Sequence, residues 1–277
     1  VALGAAAKAA IARPGAAAAR SAAAAAALWR TLSTFTSKAS ARNAREDATE
    51  RGPRGCWRRR PRDLPATRVE VNIAAARLAF LIDGRPALAM KTIVGRPQNR
   101  TPMLSDHMEA VIFNPPWNVP ASIAIKEIRP KARRDPGYLA REGFVTRENG
   151  ELQQLPGPKN ALGVVNFDLP NPFSVYLQDT PARSLFSRDQ RWLSHGCVRL
   201  ELPRVLARMV LADQGWDEAA VDAAVEARVT QRLALTRPIP VFLWYWTVFP
   251  EDGGISFRDD VYGWDKLMGA PQAGAPR

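Results

Sequence analysis

The 277-residue chain is 46% hydrophobic and 24% charged, which is enough apolar sequence for one sizeable core carrying a tail. Its formal charge of +12 is unevenly placed. The first 68 residues hold 14 Lys and Arg against 4 Asp and Glu, leaving 25 against 23 in the remainder. A nearly balanced body argues against a nucleic-acid-binding domain. Two cysteines exclude a disulfide-stapled scaffold, and no apolar run reaches the roughly 20 residues of a membrane-spanning helix.

The first thirty residues contain 17 alanines, followed by an Arg-rich stretch that ends in Cys56, Trp57 and Arg58 to Arg60. Alanine favours helix, but no sustained apolar stripe is present with which to dock. Residues 1–66 therefore read as a poorly ordered segment or the remnant of an upstream region. Arg13 and Arg20 ahead of the alanines also allow a weak secretory leader. The texture changes at Thr67. Val69, Val71 and Ile73 alternate with polar residues as in a half-buried strand. Leu78–Ile82 and Ala87–Val94, joined by Asp83-Gly84, predict a hairpin.

Met108–Phe113 reads as a further strand, with His107 on a surface turn ahead of it. Residues 121–142 are charged, carry Ile123, Ile125, Ile128, Tyr138 and Leu139, and predict a helical insertion interrupted by Pro130 and Pro136. Strand character returns at Gly163–Phe167 and Phe173–Leu177. Helical periodicity covers Leu202–Leu211 and Asp217–Leu233. Val241–Phe249 reads as a long buried strand, in which Trp244, Tyr245 and Trp246 pack rather than form a sugar platform. This is a mainly β, α+β pattern, not regular βαβ alternation. No Gly-rich phosphate loop or zinc-type spacing appears, so no cofactor and no metal is expected.

Ser194-His195-Gly196-Cys197-Val198-Arg199 carries the chemistry. A cysteine becomes a nucleophile when a cation, a histidine or backbone dipoles stabilise its thiolate. Gly196 allows a tight turn that aims amide N–H groups at a developing oxyanion. His195 and Arg199 lie within local reach. A buried structural cysteine beside a satisfied histidine explains these residues equally well on local chemistry alone.

Ser194 to Arg199, about twenty residues after Tyr176-Leu177-Gln178-Asp179-Thr180-Pro181, resembles the L,D-transpeptidase catalytic domain (YkuD) family, in its large YcbB-type branch. The resemblance extends through Arg62-Asp63-Leu64, Val94-Gly95-Arg96-Pro97, Thr101-Pro102, Asn114 to Pro120, Arg134 to Leu139 and Gly157 to Gly163. It implies a β-sandwich catalytic domain over residues 67–249, a capping insertion at 121–155 and a C-terminal extension at 250–277. It also implies periplasmic formation of 3–3 peptidoglycan cross-links, with tetrapeptide stems as donor and acceptor and a cysteine thioester between them. Carbapenems are the covalent ligands expected with it, and no cofactor enters. Carried over by position, Cys197 is the nucleophile, with Gly196 and Cys197 supplying oxyanion N–H groups. Ser194, His195, Arg199, Tyr176, Asp179 and Trp117 shape the pocket or contact substrate.

At the position where the family places its base histidine, this chain has Gln178. An amide neither takes a proton nor carries positive charge near pH 7, and a positioned acid–base group contributes about 10²–10⁴-fold. Three readings stay open. His195 replaces the base, or the chain is an impaired pseudoenzyme that still binds stem peptides, or it is an altered copy of an active enzyme. Pairing of Cys56 with Cys197 would silence the nucleophile. A third function class, polyanion binding through the Arg-rich segment, would show as salt-sensitive binding.

Overall fold

A computed structural model describes residues 63–251 and 254–269. Cys56, the Arg58–Arg60 run, residues 1–62 of the 1–66 segment and residues 252–253 and 270–277 of the 250–277 segment lie outside it. The alternating stretch forms β1 (Arg68–Asn72), with Val69 and Val71 fully buried. β2 (Arg77–Ile82) and β3 (Arg85–Gly95) follow as an antiparallel hairpin. Its turn residues Asp83 and Gly84 have φ of +52° and +74°. Both central residues are therefore left-handed, the geometry that matches strand twist and favours Asp-Gly.

β4 (Leu104–Phe113) comes next. His107 lies within β4, opposite Pro240, and not on a turn ahead of it; it is exposed, as expected. After the insertion come β8 (Val165–Asp168), β9 (Leu177–Gln178), β10 (Trp192–Ser194), β11 (Val198–Leu200) and β12 (Gln231–Trp244). They complete a nine-stranded sheet in the order β10-β3-β11-β9-β8-β4-β12-β1-β2. β3 pairs with β2 through its first half and with β11 through Thr92 and Ile93, so the sheet returns on itself. The two layers expected of a sandwich are thus continuous through one long strand.

Inside lies one apolar cluster that includes Val71, Phe80, Met90, Val111, Phe113, Phe167, Leu177, Val198 and Leu243. α4 (Pro203–Val210) and α5 (Glu218–Glu226) add Leu206, Ala207, Val221 and Val225 to it. The helix predicted over Asp217–Leu233 is shorter than that. Asp217 caps α5 by accepting from the Ala220 N–H at 2.8 Å, but the helix stops at Glu226. Arg228 takes φ +54°, and from Gln231 the chain pairs with β4.

Of Phe173–Leu177, likewise, only Leu177 is strand, as the first of the two residues of β9. Asn171 holds the preceding turn instead: its Nδ2 donates to Leu169 O and Val175 O, and its Oδ1 accepts from the Phe173 and Val175 N–H groups. The strand predicted to run to Phe249 breaks at Trp244, and β13 (Val248–Glu251) pairs with β14 (Gly254–Phe257) as a separate ribbon. Phe242, Trp244 and Trp246 stack in a ladder at 5.2 and 5.5 Å, while Tyr245 is buried, so this stretch packs, as read from sequence.

The insertion builds its own small unit. α1 (Ala121–Ile123), a π turn (Ala124–Ile128), α2 (Arg129–Arg134) and α3 (Tyr138–Arg141) sit with the sheet of β5 (Trp117–Asn118), β7 (Leu152–Gln154) and β6 (Phe144–Thr146). Pro130 is the second residue of α2, which follows the π turn directly, so the interruption of the helical run expected there does not occur. A second apolar cluster of Val119, Ala124, Ile128, Phe144 and Leu152 holds the unit together. No described helix is long and apolar enough to cross a membrane.

Candidate active site

Side chains alternate across a strand, so the register of β8, β9 and β11 sets out the site. Val198 pairs with Leu177, and both point into the core; Arg199 pairs with Gln178, which pairs in turn with Asn166. Asn166, Gln178 and Arg199 therefore form one row on the face opposite the core. Cys197 lies one step back on the same face as Arg199, with Tyr176 beside it: the Val198 N–H donates to Tyr176 O at 2.9 Å.

The turn that carries Cys197 is braced from three directions. Ser194 Oγ accepts from the Gly196 N–H at 3.1 Å and donates to Cys197 O at 2.6 Å, stapling residues 194–197. Gly196 has φ +127°, a conformation that side chains resist. Thr101 Oγ1 donates to Gly196 O at 2.7 Å and accepts from the Gly95 N–H at 2.8 Å. Tyr262 Oη donates to Gly95 O and accepts from the Thr101 N–H. A side chain at Gly95 would strike Asn99 O at 2.1 Å, so this close approach requires glycine.

These contacts show what the residues expected at the site touch. The Gly196 N–H, expected at the oxyanion, is committed to Ser194 Oγ. The Cys197 N–H has no protein acceptor among the described residues. Ser194 is buried and spent on the turn. Asp179 is buried too: its Oδ2 accepts from the Val164 N–H at 3.0 Å and its Oδ1 from Arg183 Nη1 at 3.1 Å. Gly163, at φ +65°, makes room for that carboxylate. Trp117 packs in the insertion, 6.3 Å from Phe144. Sequence reasoning gave no role to Thr101, Tyr262, Asn171 or Asn166; only Thr101 stood in a quoted motif.

Cys197 is partly exposed, and its Sγ faces Ser174 O at 3.8 Å. Ser174 takes φ +51° in the turn organised by Asn171, a strained setting that aims its carbonyl at the sulfur. Burial pushes the Cys197 thiol up, opposed by a backbone hydrogen bond at Tyr176 and the charge of Arg199. Burial also lowers Arg199 from the ordinary guanidinium value, and the nearby cysteine opposes that. The Tyr176 phenol is raised by burial, then by Asp168 and Cys197. At neutral pH the resting group is a thiol.

Gln178 is buried, with its Nε2 donating to Ala161 O at 3.4 Å. Its Oε1, and Asn166 Oδ1 opposite it, have no donor among the described residues. An imidazole at this position would offer the thiol a proton acceptor, which the amide does not. His195 sits elsewhere: its Nε2 lies 2.7 Å from Oε1 of Glu127, on the π turn of the insertion. Away from these groups, a cleft of about 530 Å³ lies between α4, α5 and the Asp179–Arg183 segment, and its lining does not include Cys197.

Residues 66–229 match the family described as the L,D-transpeptidase catalytic domain, YkuD. A Haemophilus influenzae protein named "Putative L,D-transpeptidase" is 32% identical over 218 residues. That match covers 72% of this chain and 44% of the relative, so the chain spans under half the length of the relative it matches. Among solved structures, the catalytic domain of the E. faecium L,D-transpeptidase acylated by ertapenem is 12% identical, with TM-score 0.35 over 66% of this chain and 99% of that one. L,D-transpeptidase 3 from Mycobacterium tuberculosis, with a faropenem-derived adduct, is 14% identical, with TM-score 0.35 over 65% and 60%. Likeness at that level carries no argument.

The family match settles the class. This chain belongs to the L,D-transpeptidase catalytic domain family.

Proposed function

We propose that this chain is a slow peptidoglycan L,D-transpeptidase of the periplasm that works through a Cys197 thioester. The thiolate attacks the carbonyl ahead of the terminal D-residue of a tetrapeptide stem. Its S–C bond forms as the C–N bond breaks, and the D-residue leaves. An amine of a second stem then displaces the sulfur to give a 3–3 link. The carrying observation is a partly exposed Cys197 on a turn that Ser194, Thr101 and Tyr262 brace, with its own N–H lacking an acceptor among the described residues and so able to meet the oxyanion. Carbapenems, strained amides that open onto a thiolate, are its expected covalent ligands.

Gln178 supports the slow rate. It leaves Cys197 as a thiol with no imidazole at the family's position, so acylation relies on the small thiolate fraction and on Arg199. The same observation favours a second reading, a stem-binding protein that acylates little or not at all. Incubation with a tetrapeptide stem and detection of the released D-residue tests the pair. The enzyme reading expects slow release that Cys197→Ala abolishes. Stem binding without any release favours the second reading, and equal release from Cys197→Ala contradicts the nucleophile.

A further inference from the structure

The carboxylates on the strands of the site are already engaged. Asp168 Oδ2 is 2.8 Å from Arg232, and Asp179 is paired with Arg183. Glu127 differs. It reaches the nucleophile turn from the insertion, 68 residues away in sequence, and meets the turn through one oxygen only. Oε1 lies 2.7 Å from His195 Nε2 and 3.9 Å from Arg96 Nη2. Oε2 has no protein partner among the described residues. The carboxylate side chain is 42% exposed and the imidazole 31%, so a ligand can touch both.

A carboxylate only accepts hydrogen bonds, so His195 Nε2 must carry a proton in this contact. In the neutral imidazole the lone pair then lies at Nδ1. The pair thus offers a free anionic oxygen and a fixed proton acceptor two residues from Cys197. An alkyl amine needs both. Its usual pKa of about 10.4 makes it an ammonium at neutral pH, so it must be captured by charge and then lose a proton before it can attack.

We propose that Glu127 and His195 form the seat of the acceptor amine and set a preference for a cationic, primary-amine acceptor. This rests on the acyl-transfer reading above and assigns the second half of that reaction. Glu127 holds the ammonium, and His195 Nδ1 takes one proton from it and passes it to solvent. The neutral nitrogen attacks the thioester carbonyl; the N–C bond forms, the C–S bond breaks, and the second N–H proton ends on the departing Cys197 sulfur. Arg96 and Arg199 face the same turn, and Lys126 neighbours Glu127. Glu127 is the carboxylate among these groups, and its Oε2, which neither His195 nor Arg96 engages, is the oxygen left to meet the ammonium.

Two measurements test this. The chain has two histidines, and His107 is exposed on β4, so the His195 ring signals can be followed by NMR while 1,5-diaminopentane is added. The His195 signals are expected to shift saturably and those of His107 to stay put. Glu127→Gln should weaken the binding about tenfold, as for loss of one charge-assisted hydrogen bond, and Glu127→Asp should retain most of it. In turnover with a tetrapeptide donor, Glu127→Gln should raise KM for the diamine about tenfold and lower kcat less. Unchanged diamine binding in Glu127→Gln overturns the proposal, as does a fall in kcat with KM unchanged, which marks Glu127 as a clasp for the insertion only. Absence of turnover in every variant sinks the acyl-transfer reading, while the NMR titration still decides the seat.

Discussion

At the scale of single residues, the row Asn166–Gln178–Arg199 decides how the site behaves. Two buried amide oxygens face no donor among the described residues, and each unmet group costs about 1–3 kcal/mol. Asn166→Leu removes one such oxygen at similar volume. It is expected to stabilise the fold by about 1 kcal/mol, raising Tm by about 2–4 °C in thermal unfolding; a lower Tm would show that the amide has an unseen partner. Cys197, His195, Gly196 and the departure at Gln178 were all legible in sequence, because they sit in one short motif and its neighbour. The contact of His195 with Glu127 was not, since nothing local links residues 68 positions apart. Neither was the commitment of the Gly196 N–H to Ser194, which depends on a hydroxyl rotamer.

Among elements, the Cys197 turn depends on loops rather than on its own strand. Thr101 bridges Gly95 and Gly196, and Tyr262 ties that bridge to the far end of the chain. Thr101→Val keeps the shape but strands the Gly95 N–H and the Gly196 carbonyl. A loss of about 2–4 kcal/mol in denaturant unfolding is expected, together with slower Cys197 acylation; an unchanged acylation rate would show that the brace does not set the turn. Strand alternation revealed β1 to β4 because one face of each is buried. It misled at Phe173–Leu177, where β-branched and aromatic residues suggest strand but Asn171 captures the backbone. Helical periodicity misled in turn beyond Glu226, where Leu233 fits both a helical period and the strand that forms.

For the whole molecule, two apolar clusters divide the labour: the main sheet carries the Cys197 turn, and the insertion carries Glu127. The insertion was legible as a shift in composition, but its three-stranded sheet was not, since β5 is two residues long and β6 and β7 three each. Phe144→Ala should empty the centre of the smaller cluster at a local cost of about 3–5 kcal/mol. Hydrogen exchange is expected to quicken at residues 117–155 and to stay slow in β4, β8 and β12; uniform quickening would show that the two clusters unfold as one.

The central claim is that Cys197 is a competent nucleophile whose proton acceptor is lost at Gln178. Intact-protein mass spectrometry of carbapenem acylation against pH, for the parent and Gln178→His, tests it most directly. With the thiol raised by burial, the parent should acylate slowly at neutral pH and faster as the pH rises past the ordinary thiol range. Gln178→His should acylate about 10²–10⁴-fold faster near neutrality. Equal rates and pH profiles in the two proteins would contradict the account.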